Sequence, residues 1–308
     1  MAILTFVLFL FGSYFAILAP PRNFPSGDIV VIARGASALD IANELENAHI
    51  IAHPTIFRLV LRIAGASARV QAGVYLFSTP QNLFVVAYRL VTGEYGLSPV
   101  RILFPEGSTV RDMAVRVAET FPEISTEDFL SAGKSYEGYL FPDTYLFLPW
   151  TNADLVVQAM RENFNAKITP LLDEVSVSGH SLSDVVIMAS LVEKEARSSA
   201  VKHMVAGILW NRYELGMPLQ VDAVFGYIFD RDTYSPSSAD LKVDSPYNTY
   251  THTGLPPTPI NNPGLDSLDT ALHPTKTNYL YYLTDKNGVM HYATTFAGHQ
   301  ANQRKYLH

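Results

Sequence analysis

The eight residues Val185 to Val192, VVIMASLV, carry no charge and sit within a stretch of helical character. A surface helix keeps a polar stripe, so a helix without one has to be enclosed by other elements. This run therefore fixes the centre of a sizeable core and demands partners on most sides. Its start is written just ahead of it: Ser181 followed by Asp184 has the spacing of a capping box, with Asp in place of the usual Glu or Gln. Its end is equally marked, because Glu193, Lys194 and Glu195 follow at once. At 100° per residue the two glutamates point in nearly opposite directions. Glu195 falls on the face of Met188, Leu191 and Val192, and Glu193 nearer Val186, Ala189 and Ser190. A carboxyl among aliphatic neighbours has its pKa raised by desolvation, which suits a general acid. The alternative is a pair of solvated helix-end charges with Lys194 and Arg197 as partners.

A second apolar run opens the chain. Ala2 to Pro20 reads AILTFVLFLFGSYFAILAP, and no charge occurs before Arg22. As a helix it would reach roughly 27 Å, enough for a bilayer core. A cleaved signal peptide would call for basic residues before the run and an A-x-A-like site after it, and neither is there. The expectation is an uncleaved single-span anchor over residues 1–22, with everything after Arg22 on one side of the membrane.

From Asp28 to Phe121 short β-type runs alternate with helical ones, as in a compact α+β positioning module, assigned to residues 28–121. The remainder, residues 122–308, reads as a second, mixed α+β domain. SYEGYLFPDTYLFLPW mixes aromatics with two prolines and resists both a regular helix and a central strand; it is either a core ribbon or a substrate-facing wall beside Glu137 and Asp143. SPYNTYTHTGLPPTPINNPG is saturated with turn residues, and a loop of this length in a compact domain points to binding, with a packed irregular connector as the alternative. Its amides and phenols suit a neutral or weakly charged sugar chain.

Several functions are excluded. The chain holds 22 Lys plus Arg against 29 Asp plus Glu, a net charge of −7 with no basic run, so no nucleic-acid partner is expected. Cys is absent, which removes thiol catalysis and thiolate metal sites. Neither GxGxxG nor GxxxxGK[ST] occurs, and no HExxH, so neither a nucleotide cofactor nor a metal is expected; His291 and His299 are read as structural.

Five blocks in order, EGYLFPDTYLF, MASLVEKEA, NRYELGMPLQVDAV, SPYNTYTHTGLPP and HPTKTNYLYYLTDKNGVMHYATTFAGHQ, resemble the YceG-like, or MltG-type, endolytic murein transglycosylases over Asp28 to His308. The resemblance implies a catalytic domain of lysozyme-like function, a LysM-like module over residues 28–121 and a bacterial inner-membrane anchor with the catalytic part on the outer, periplasmic side. It implies a carbon–oxygen lyase that cuts the MurNAc–GlcNAc bond within peptidoglycan strands, leaves a 1,6-anhydro-MurNAc end and so terminates nascent glycan elongation. The family's catalytic glutamate, the second of the E-K-E block, corresponds to Glu195; Ala196 stands where the family has Thr or another small polar residue. Asn211, Gln220, Asp222, Asn248 and Tyr250 are the candidates for orienting the sugar, from their chemistry and their matching blocks. Tyr279, Tyr281 and Tyr282 alternate with apolar residues and are assigned to core packing. Penicillin-binding-protein synthases are the implied protein partners. A non-catalytic peptidoglycan-binding scaffold for such synthases, and an ordinary hydrolase using Asp222 as base, are the competing readings.

Overall fold

The computed structural model describes residue 12 and residues 18–196, 198–231 and 235–307. Most of the apolar run of the expected anchor, residues 1–11 and 13–17, lies outside them, as does Arg197. Among the described residues no single helix is long and apolar enough to cross a membrane. The fold is mixed α+β, and it divides into two compact units, residues 1–100 with 148–150, and residues 101–147 with 151–308.

In the first unit β1 (Asp28–Ile32) pairs antiparallel with β2 (Gly73–Phe77), Val30 opposite Tyr75. Val30 and Ile32 point inward while Ile29 and Val31 face out, the period-two pattern of a half-covered sheet. Between the strands run α1 (Ala38–Asn47) and α2 (Pro54–Ile63), and α3 (Leu83–Thr92) follows β2. Ser37 and Asp40 form a reciprocal capping box on α1, and Pro54 opens α2 where its missing N–H costs nothing. Ile41, Leu45, Phe57, Leu61, Tyr75, Phe77, Val86 and Leu90 are the core of this unit.

The second unit contains β3 (Val100–Leu103) paired with β4 (Thr144–Phe147), then α4 (Val110–Thr120), α5 (Thr126–Gly133), α6 (Ala153–Ile168) and α7 (Leu172–Ser178). The central helix α8 (Leu182–Glu195) is followed by α9 (Ser199–Glu214), α10 (Ala223–Phe229) and α11 (Leu265–Leu272). A β5–β6 hairpin (Tyr281–Thr284, Met290–Ala293) and α12 (Phe296–Tyr306) complete it. The sequence boundary at 121/122 differs from the boundary in space, at 100/101. The reason is that α4 packs on α5, and Gly107 and Ser108 exchange backbone hydrogen bonds with Asn262 at 2.9 Å each.

All eight residues from Val185 to Val192 are buried, as an uncharged helix requires, and Ser181 caps α8 with Asp184 at N3. Each fully buried aliphatic side chain there contributes about 1.5–3 kcal/mol. Helix α9 approaches the chain leading into β5 very closely: a Cβ on Gly207 would stand 2.1 Å from the Thr275 carbonyl, so only glycine fits. The aromatic segment 136–150 is not a single ribbon. Leu140 and Phe141 are buried, the Tyr145 hydroxyl donates to the Phe141 carbonyl at 2.7 Å, and residues 144–147 form β4.

Candidate active site

Helix α8 delivers two carboxylates to different surroundings. Glu193 turns inward to Lys202 of α9, Oε1 to Nζ 3.1 Å, and its Oε2 accepts the Gly264 amide at 2.9 Å. Lys202, only 4% exposed, also meets Asp266 at 3.2 Å. Both oxygens of Glu193 are thus committed to holding α8, α9 and the start of α11 together. The solvated reading of this residue does not hold, because its cation is the buried Lys202.

Glu195 closes α8, and the next residue, Ala196, is already extended (φ −147°, ψ 146°), so the chain leaves the helix at once. Glu195 lines a cavity of about 700 Å³ together with Asp222, Ala223, Gly226 and Tyr227 of the α10 segment, Thr109, Arg111 and Asp112 at the start of α4, and Lys194, Asp230, Arg231, Ser235 and Ile260. Its Oε2 accepts a hydrogen bond from the Tyr282 hydroxyl at 2.8 Å. Burial pushes the carboxyl up to about 7; the Tyr282 hydrogen bond opposes this, the charge of Asp222 adds to it, and the Ala223 amide again opposes it. A carboxyl balanced near neutrality can give a proton and take one back without a large cost in either direction.

Two further groups brace the acid. Tyr282 is a phenol whose ionisation is strongly disfavoured by burial and by Glu195, so it remains a donor. Arg212 of α9, itself buried, donates to the carbonyls of Leu280 (2.6 Å) and Leu219 (2.7 Å) and lies over the Tyr281 ring. It thereby ties β5, which carries Tyr282, to the segment that carries Asp222.

The residues expected to orient the sugar separate into two groups. Asp222 lines the cavity beside Glu195 and accepts the Tyr250 hydroxyl at 2.5 Å, so Tyr250 joins the site through Asp222. Asn211, Gln220 and Asn248 are not in the lining. Asn211 Nδ2 donates to the Thr277 and Tyr279 carbonyls at 2.8 and 3.2 Å. Asn248 is fully buried: its Nδ2 donates to the Leu241 and Val243 carbonyls and its Oδ1 accepts the Tyr250 amide. Those two side-chain amides are committed to half-buried loop carbonyls, which ties the loops at 241–243 and 277–279 in place. Gln220 is exposed, in a left-handed turn (φ +53°), with its Oε1 3.4 Å from Arg212.

A second buried carboxyl, Glu137, stands behind the cavity wall. The Val110 amide lies 3.2 Å from both its oxygens and Asn262 Nδ2 donates to it at 2.9 Å, yet burial dominates and pushes it up to about 8. Asn262 also takes the Leu140 amide and gives to the Ser108 carbonyl. Among the described residues no group of three or more His, Asp or Glu side chains is placed to hold a metal ion. His291 is paired with Asp285 at 3.0 Å.

A sequence model of the YceG-like family matches residues 30–305. The "Endolytic murein transglycosylase" of Bacillus subtilis (strain 168) is 32% identical over 303 residues, covering 90% of this chain and 84% of that protein. The protein of the same name from Streptococcus pneumoniae serotype 2 (strain D39) is 26% identical over 320 residues; the match covers 90% of this chain and 58% of the streptococcal protein. In three dimensions the chain is similar to the 2.6 Å crystal structure of a yceG-like protein of Listeria monocytogenes, with a TM-score of 0.61 and 28% identity over 90% of this chain and 99% of that one.

Proposed function

The chain belongs to the YceG-like family, and from that premise we propose that it is an endolytic murein transglycosylase, a lyase that cuts peptidoglycan strands internally. The observation that carries the reading is Glu195: a carboxyl at the wall of a large cavity, pushed up to about 7 and held by Tyr282. Ordinary glycosidases divide the work between two carboxyls. Here Glu195 does both halves. It protonates the glycosidic oxygen as the bond from MurNAc C1 breaks; the carboxylate left behind takes the proton of the same sugar's 6-hydroxyl as that oxygen closes on C1. The leaving sugar keeps the first proton, Glu195 regains one, and no water is consumed. Asp222, fixed by Tyr250, faces the positive charge that develops at C1.

The outlying parts fit the same reading. Residues 1–22 are the single-span anchor in the bacterial inner membrane, placing the rest on the outer, wall-facing side where the substrate is. The strand–helix–helix–strand order of the first unit, with its two strands antiparallel, supports a LysM-like module that positions glycan. Cell-wall synthases are the partners that supply nascent strands. A silent scaffold has no use for a carboxyl held near neutrality in a cavity, so the enzyme reading is preferred.

The test is mass spectrometry of the products released from purified glycan strands. Wild type yields anhydro-ended products, and Glu195→Gln, which keeps the shape but has no proton to give, loses about 10²–10⁴-fold in rate while remaining folded. Reducing ends without the anhydro ring would instead establish a hydrolase with Asp222 as base.

A further inference from the structure

A second pocket, about 440 Å³, lies on the other side of Lys194 and Asp112, which form the wall it shares with the Glu195 cavity. It is an open depression lined by the loop 105–108 and by one face of α4, including Arg116 and Glu119. The loop is pinned by the backbone pairing of Gly107 and Ser108 with Asn262. The Lys194 side chain lies over Gly107, where a Cβ would stand 3.4–3.5 Å from its Cε and Nζ. Its ammonium thus stands near the loop 105–108, on the wall that the two pockets share. The mechanism above uses none of these charges.

The chemistry of the lining differs from that of a sugar subsite. Lys194 and Arg116 supply cations, Glu106, Asp112 and Glu119 supply carboxylates, and the polar part of the wall outweighs the apolar part around Pro105 and Val115. An N-acetylated sugar offers only neutral hydroxyl and amide groups. The lactyl arm of the ring-closing sugar, however, carries a short peptide with carboxylates and, at its diamino acid, an ammonium. That arm departs from the one sugar that has to lie against Glu195, and this pocket opens beside it. We propose that the second pocket receives the peptide stem of that sugar, so that peptide-bearing strands are cut in preference to stripped ones. The proposal rests on the transglycosylase reading for its substrate, but its test can fail separately.

The full-length chain is assayed on uncross-linked, peptide-bearing strands and on the same strands stripped of peptide by an amidase. Wild type is expected to favour the peptide-bearing polymer in kcat/KM, and Arg116→Glu to lower that value roughly fivefold and narrow the ratio between the polymers. In parallel, a synthetic stem tetrapeptide of sequence L-Ala–D-Glu–diamino acid–D-Ala is titrated into the wild-type chain and into the Arg116→Glu variant. Binding that the variant weakens supports the proposal. Equal rates on the two polymers, or peptide binding that is absent or indifferent to Arg116→Glu, overturns it. Absence of anhydro ends from both polymers would instead remove the transglycosylase reading, and the peptide titration would still decide the pocket.

Discussion

Replacing Tyr282 by Phe separates positioning of the acid from its presence. The ring is retained, so packing is largely kept, and the change removes the hydroxyl that donates to Glu195 Oε2 at 2.8 Å. That hydrogen bond stabilises the ionised carboxylate, so its loss raises the pKa of Glu195 above its value of about 7. A hydrogen bond to a charged group contributes about 1.5–3 kcal/mol, and one pKa unit is about 1.4 kcal/mol, which sets an upper range of roughly one to two units. The Ala223 amide continues to donate, so an upward shift of about one unit is expected. The protonated acid starts the reaction, so activity is lost as pH rises through this pKa. The alkaline limb of the kcat/KM profile, measured from pH 5 to 9 by counting anhydro ends, should therefore move from about 7 to about 8. The maximum should also fall, because the carboxyl loses one of its two fixed contacts. A limb that moves to lower pH, or stays in place while the variant remains folded, would refute the assignment of Tyr282 as the group that holds the acid.

Glu193→Gln should behave as a stability variant. It breaks the contact with a buried Lys202 that retains only Asp266, costing about 3 kcal/mol in denaturant unfolding, while the folded fraction still cuts strands; a stable but inactive Glu193→Gln would exchange the roles of the two glutamates. For the anchor, sequencing of the chain extracted from membranes should begin at Met1 or Ala2, and a start at Pro20 or later would establish cleavage.

The parts of this architecture that were legible in the sequence are those governed by local periodicity and capping. The uncharged run 185–192 required burial and received it, and Ser181 with Asp184 marked the helix start. The 100° phase placed Glu193 and Glu195 in different surroundings, and they face Lys202 and Tyr282 respectively. What stayed hidden depends on contacts between distant segments. Tyr282 is indistinguishable by pattern from its neighbours in an aromatic strand, and only the approach of β5 to the end of α8 gives it a carboxylate to hold. Asn248 shows the converse. In a turn-rich segment a polar amide serves equally well to meet a ligand or to satisfy loop carbonyls, and its geometry selects the second. The boundary expected at 121/122 moved to 100/101 for the same reason, since the pairing of residues 107–108 with Asn262 leaves no trace in local composition.

The hydrogen bonds of Asn262 and Tyr282 also set when the protein can become active. Asn262 reaches back 154 residues to Ser108 and 125 to Glu137, and Tyr282 reaches back 87 to Glu195. Contacts of such separation form only after large loops have closed, which makes them late events in folding. As the chain emerges from its N-terminus, α8 can form and present its acid long before Tyr282 exists to hold it. An emerging chain therefore carries an acid that is not yet positioned, and the acid is held in place only once the strand that carries Tyr282 has docked against the end of α8.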